Sequence, residues 1–158
     1  MSLIIILGVA AVAIVLSPVL VKLIGTKAGY PLGMLALADT VLLARELPRV
    51  LVEPITISYP WVPGALADIG FSVRLDGLSA IFALLALVVW AVVFLYSSAY
   101  LPARGAGATN FYTLMTAFMA SVLLLVLADD VFLLFIAWEF TKNLGKLGKY
   151  HIFSPSME

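Results

Sequence analysis

Long apolar runs, broken by short polar links, divide this chain. The first, 3–23, is apolar apart from Ser17, Pro18 and Lys22. A bilayer core of about 30 Å needs about 20 residues of apolar helix, so this run predicts a membrane span. Pro18 predicts a kink, which membrane helices tolerate. A secretory signal would carry a basic residue ahead of its apolar core. Here the first basic residue is Lys22, at the far end of the run, so the span is expected to be retained. A second run, 28–44, is shorter and holds Pro31 and Asp39. A third, 78–101, ends with Tyr96 and Tyr100, placed as interfacial anchors are. A fourth covers 111–128, and a fifth begins at Val131 but stays apolar for only about ten residues before Lys142.

Between the second and third runs the pattern changes. Pro48, Pro54, Pro60 and Pro63 interrupt it, and the stretches "ITISY" and "FSVRL" alternate apolar and polar positions. That alternation predicts a hairpin-like pair of strands. Its backbone would be unsatisfied in lipid, so the segment is expected to face water, with Tyr59 and Trp61 near the interface. The reading is an all-α polytopic membrane protein of about five spans. Spans one and two occupy 1–45, an extramembrane hairpin-like loop 46–76, spans three to five 77–141 with the fifth cut short, and a polar tail 142–158.

Composition agrees. The 158 residues are 64% hydrophobic and 11% charged, against about a quarter charged in soluble domains. A net charge of zero leaves no basic patch for nucleic acid. There is no cysteine and one histidine, His151, so neither a thiolate nor a histidine-cluster metal site is expected. Hydrolase and phosphate-loop motifs are absent too, and no cofactor is expected. Five crossings would put Lys22, Lys27, Arg104, Lys142, Lys146 and Lys149 on one side, and Arg45, Arg49 and Arg74 on the other. The excess of basic residues predicts the first side as cytoplasmic, with the N-terminus and the 46–76 loop outside.

The acids carry the candidate chemistry. Asp76, ahead of the third run, reads as a helix cap. Asp129 and Asp130 read as a solvated turn between the fourth and fifth spans. Asp39 reads as an acid near a helix end, able to reach the interface or pair near Arg45. Glu139 lies eight residues into the fifth run, about 12 Å along a helix. There it must be protonated, paired or hydrated. Lys142 and Lys146 are possible partners on its face. A proton-relay group and an ordinary pair at the end of a short helix fit this pattern equally.

Over residues 58–141 the sequence resembles the proton-translocating antiporter-like subunits: the A subunit of Mrp-type Na+/H+ antiporters and the related membrane subunits of respiratory complex I. The marks are W-x-P at Trp61–Pro63, "RLDGLS" at 74–79, Phe111–Tyr112, and W-E-x-T at 138–141. "DGLS" and "WEFT" are more similar to the Mrp branch. The resemblance implies that Glu139 is the intramembrane acid that pairs with a lysine on a later helix as protons move. It implies a membrane subunit of a multisubunit cation/proton antiporter, acting on protons and Na+ beside other subunits in a bacterial-type plasma membrane. A complex I-like proton-pumping subunit is the alternative within the class. A non-transporting structural subunit is the alternative outside it. After Thr141 the family continues with a serine-rich apolar stretch, whereas here "KNLGKLGKYHIFSPSME" follows. The chain is therefore expected to match the N-terminal part of a longer subunit, with a divergent end.

Overall fold

The computed structural model describes residues 2–62, 69–101 and 106–153. Arg104, Pro155 and the side chains of Trp61, Lys149 and His151 lie outside the described residues.

The first apolar run folds as helix α1, Ser2–Ile24. Its buried stripe is Leu3, Ile6, Ala10, Ala13, Ser17 and Val21, at helical spacing, while Ile4, Val12, Val15 and Val19 are exposed. A helix apolar on both its packed and its open faces is one whose solvent is lipid. Pro18 cannot donate to the carbonyl of Ile14, four residues back. The Ser17 hydroxyl donates to that carbonyl instead, at 3.0 Å, and so satisfies the group the proline frees.

Gly25, at φ 63°, turns the chain in the left-handed region that glycine adopts without strain. A single 3-10 turn, Gly25–Ala28, then leads into helix α2, Gly29–Val50. The segment expected to be loop from residue 46 is helical as far as Val50, so α2 is longer than the apolar run that predicted it. Arg45 and Arg49 are exposed and Glu46 is half-buried, which lets the helix carry charge without burying an unpaired ion.

Strands β1 (Ile55–Val62) and β2 (Ile69–Leu75) pair antiparallel in one two-stranded sheet, from Ile55 opposite Leu75 to Val62 opposite Ile69. Helix α3 then spans Gly77–Tyr100, α4 Ala106–Leu127 and α5 Val131–Phe153. Asp76 caps α3 as its position predicts: it accepts from the Ser79 backbone N–H at 2.9 Å, while the Ser79 hydroxyl accepts from the Asp76 N–H at 2.8 Å. At the other end of α3, Tyr96 and Tyr100 stack with centroids 4.1 Å apart, both exposed.

Packing follows the small residues. Helices α2 and α3 pack along their length, with Gly29 and Gly33 facing Ala91, Phe94 and their neighbours. A side chain at Gly29 would run into the Phe94 carbonyl, the Ser98 hydroxyl and the Tyr112 hydroxyl. Glycine there lets the two backbones touch, the usual device where both partners are equally apolar. Helix α1 packs on α4 and α2, and α5 packs on α4. Phe94 stacks on Tyr112, whose hydroxyl donates to the Thr26 carbonyl at 2.8 Å and ties α4 to the α1–α2 turn.

Among the described residues three helical stretches are long and apolar enough to cross a membrane: Leu3–Val50, which includes both α1 and α2, Gly77–Tyr100 and Ala108–Leu127. The molecule is a mostly helical integral membrane protein. Helix α5 is not among those stretches, because its apolar half gives way to lysine and asparagine after Thr141.

Candidate functional site

Helix α5 starts where Asp130 accepts from the Leu133 backbone N–H at 2.7 Å. The other oxygen of Asp130 accepts from the backbone N–H of Ser72 in β2, at 2.8 Å. Asp129 adds two links to the same residue: its N–H donates to the Ser72 carbonyl at 2.9 Å, and its carboxylate accepts from the Ser72 hydroxyl at 3.3 Å. Arg74 lies 3.9 Å from Asp129 and 3.6 Å from Asp76. The expected solvated turn is thus a clamp. Two adjacent acids fasten β2 to the head of α5, because strand, cap and link present complementary donors and acceptors. The Ser79 backbone N–H, with the Ser79 hydroxyl and the Arg74 guanidinium adding to it, holds the Asp76 carboxyl below its ordinary range although partial burial opposes this.

The rotation of α5 is set further down. Leu133 and Ala137 are buried, and the hydroxyls of Thr141 on α5 and Ser121 on α4 meet at 3.0 Å. Thr141 also reaches the Ala137 carbonyl at 2.9 Å, and Ser121 the Phe118 carbonyl at 2.7 Å. Two residues along a helix are about 200° apart, so a Thr141 aimed at α4 turns Glu139 away from it. Glu139 lies on the open side, in a run of exposed apolar residues that includes Phe135, Trp138 and Phe140. A groove of about 360 Å³ beside it is walled by α5 residues alone, Phe135, Phe140 and Leu144 among them.

Glu139 accepts from the Lys142 ammonium at 3.1 Å, with side-chain exposures of 36% and 50%. Lys146 makes no ion pair with it. A half-exposed pair one turn apart is worth at most about 0.5 kcal/mol, so it holds the carboxylate loosely. The helix is not short: α5 continues unbroken past Lys142 to Phe153.

Asp39 departs most from expectation. It is 1% exposed, and neither carboxylate oxygen has a hydrogen-bond partner among the described residues. It is not near a helix end, because α2 runs on to Val50 and leaves Asp39 midway along its 22 residues. The signal was in the spacing. Leu32, Ala36, Asp39, Leu43 and Val50 form the buried stripe of α2, and the acid occupies a core position in it. Among the described residues no three His, Cys, Asp or Glu side chains gather as metal ligands would.

Comparison with known proteins gives this geometry a context. Residues 61–112 match the family profile of the NADH-ubiquinone oxidoreductase (complex I) chain 5 N-terminus. A Staphylococcus aureus (strain MRSA252) protein named as antiporter subunit mnhA2 is 34% identical over 115 residues, 72% of this chain. Its counterpart in strain JH9 is 33% identical over the same length. A chain in the solved structure of the Mrp complex from Dietzia sp. DQ12-45-1b superposes with a TM-score of 0.79 and 39% identity over 93% of this chain. The chain matches the N-terminal part of Mrp antiporter A subunits. It spans 14% of the length of the curated relatives and 16% of the solved Mrp chain. These relatives are named as an antiporter subunit and as a chain of an Mrp complex.

Proposed function

We propose that this chain serves in a multisubunit monovalent cation/proton antiporter, taking part in proton translocation coupled to Na+ export, with Glu139 as an intramembrane relay group. The observation that carries the reading is the placement of Glu139. It is turned away from α4, set among exposed apolar residues, and held only by a loose pair with Lys142. An acid on such a face is available to helices or subunits that pack against α5. Taking up a proton would cancel its charge and release Lys142. Giving the proton up would restore the pair or transfer the carboxylate to a cation on a neighbouring helix. The match to the complex I chain 5 profile supports a second reading, a proton-pumping subunit of that type, in which Glu139 keeps the same role.

In this reading α1 to α5 each cross the bilayer, and the N-terminus and the β1–β2 sheet lie outside. The chain lacks cysteine, so single cysteines introduced at Val52 and at Lys27 report sidedness directly. A membrane-impermeant maleimide added to intact cells should label Val52→Cys and spare Lys27→Cys; the reverse would invert the topology. The relay itself is tested by Glu139→Gln in the assembled antiporter. Assembly should persist and cation/proton exchange in inverted vesicles should be lost. Exchange at the unsubstituted rate would remove Glu139 from the mechanism.

A further inference from the structure

The α2–α3 seam holds a polar arrangement that the Glu139 relay does not use. Both carboxylate oxygens of Asp39 and the indole Nε1 of Trp90 are the buried side-chain polar atoms without a partner among the described residues. Each residue is 1% exposed, and they stand on helices packed against one another. The contacts of Gly29 with Phe94 and Ser98, of Gly33 with Ala91 and Leu95, and of Gly77 with Leu51 fix an antiparallel register. That register sets Asp39 about level with Leu87, one turn from Trp90.

Among the described residues no cation pairs with Asp39. Helix α3 carries no charged residue, and its Tyr96 and Tyr100 stand exposed near its far end. Helix α1 offers Lys22 in its last turn, and the 3-10 turn offers Lys27, both beyond the opposite end of α2. Helix α4 contributes Tyr112, whose hydroxyl is committed to Thr26. On α2 itself Tyr30, Arg45 and Arg49 are exposed. Glu46 shares the face of Asp39, about 10 Å along the axis, and has the same sign of charge. A carboxyl buried without cation or donor is stable only with a proton on it. A metal cation would need several oxygens, which transporters supply from unwound helix. Here α2 is unbroken across Asp39, and the adjacent Thr40 hydroxyl is bonded to the Ala36 carbonyl at 2.8 Å.

We propose that Asp39 is a second protonation site in the chain. It holds a proton in the α2–α3 seam. When its O–H bond breaks, the proton passes to water on the Glu46 side, and the carboxylate takes the Trp90 indole N–H as its donor. Trp90 is the partner because an indole N–H can only donate, and so serves the anion but not the acid proton. The site is separate from Glu139, and it rests on the antiporter reading only for the purpose of the proton, not for its presence.

Infrared difference spectroscopy of the assembled complex across a pH titration tests this. The unsubstituted protein should show the C=O stretch of a protonated carboxylic acid, shifting in D2O, that Asp39→Asn removes. Trp90→Phe, which deprives the anion of its donor, should keep that band to about one pH unit higher. An Asp39→Asn spectrum identical to the unsubstituted one, or a Trp90→Phe midpoint that does not move, would overturn the proposal. If Asp39→Asn does not assemble, the Trp90→Phe midpoint decides alone. Glu139→Gln separates the two readings, since its effect on exchange does not alter the Asp39 band.

Discussion

The hydroxyls of Ser121 and Thr141 stand 3.0 Å apart across the α4–α5 contact, and Glu139 lies on the opposite side of α5 from that bond. The threonine of W-E-x-T thus aims the glutamate. Either hydroxyl alone keeps a backbone carbonyl on its own helix. The coupling between Ser121→Ala and Thr141→Val in a double-mutant cycle should therefore be modest, about 0.6 kcal/mol, read from unfolding in bilayer-mimetic micelles. The larger effect should fall on orientation, with a spin label at position 139 reporting a changed environment in Thr141→Val.

Ser17 and Pro18 act together. Ser17→Ala leaves the Ile14 carbonyl without its hydroxyl donor and should cost about 1–3 kcal/mol. In a Pro18→Ala background the backbone N–H of residue 18 can bond the carbonyl itself. The same serine substitution should then cost markedly less. Equal costs in the two backgrounds would show that the serine acts elsewhere, for instance through Thr113, which lies 3.5 Å from its hydroxyl.

At Gly29 the neighbours are a carbonyl and two hydroxyls of α3 and α4. The Phe94 carbonyl belongs to helix backbone and cannot swing aside. Gly29→Ala should force α2 and α3 apart and destabilise the protein by about 1–3 kcal/mol, measured as a lower thermal midpoint. Gly8, where an added methyl meets nothing, is the matched control and should accept alanine.

Asp76 carries a pH signature. Its carboxyl titrates lower in the folded chain than in the unfolded one, so its stabilisation is fully present above the unfolded value, about 3.9, and fades as pH falls through the lower folded value. Asp76→Ala should cost about 1 kcal/mol at neutral pH. Asp76→Asn, which keeps a capping oxygen, should cost less and lose the acid dependence. Thermal unfolding at pH 7 and near pH 3 distinguishes the two.

The helices were legible because lipid selects for length and greasiness, which a sequence displays openly. The cap at Asp76 was legible because Asp followed by Ser three positions on is a local pattern. Three acids were less legible. Asp129 and Asp130 gain their partner from Ser72, more than fifty positions earlier, which no local pattern signals. Asp39 was set near a helix end because Arg45 and Glu46 looked like the limit of the span. Helix α2 instead runs past both, and the stripe Leu32, Ala36, Leu43, Val50 carries Asp39 inward. For Glu139 the chain displayed the residue and its lysine, but the direction it faces depends on a hydroxyl of α4.

The clamp at Ser72 has a mechanical consequence. Helix α5 is pinned at its head through Asp129 and Asp130. Glu139 lies about 12 Å down the helix from that clamp. The helix is held at its head by the sheet and again, just past Glu139, by the Ser121–Thr141 bond. Strain applied to the β1–β2 sheet from outside the bundle would therefore be felt as displacement at the acid.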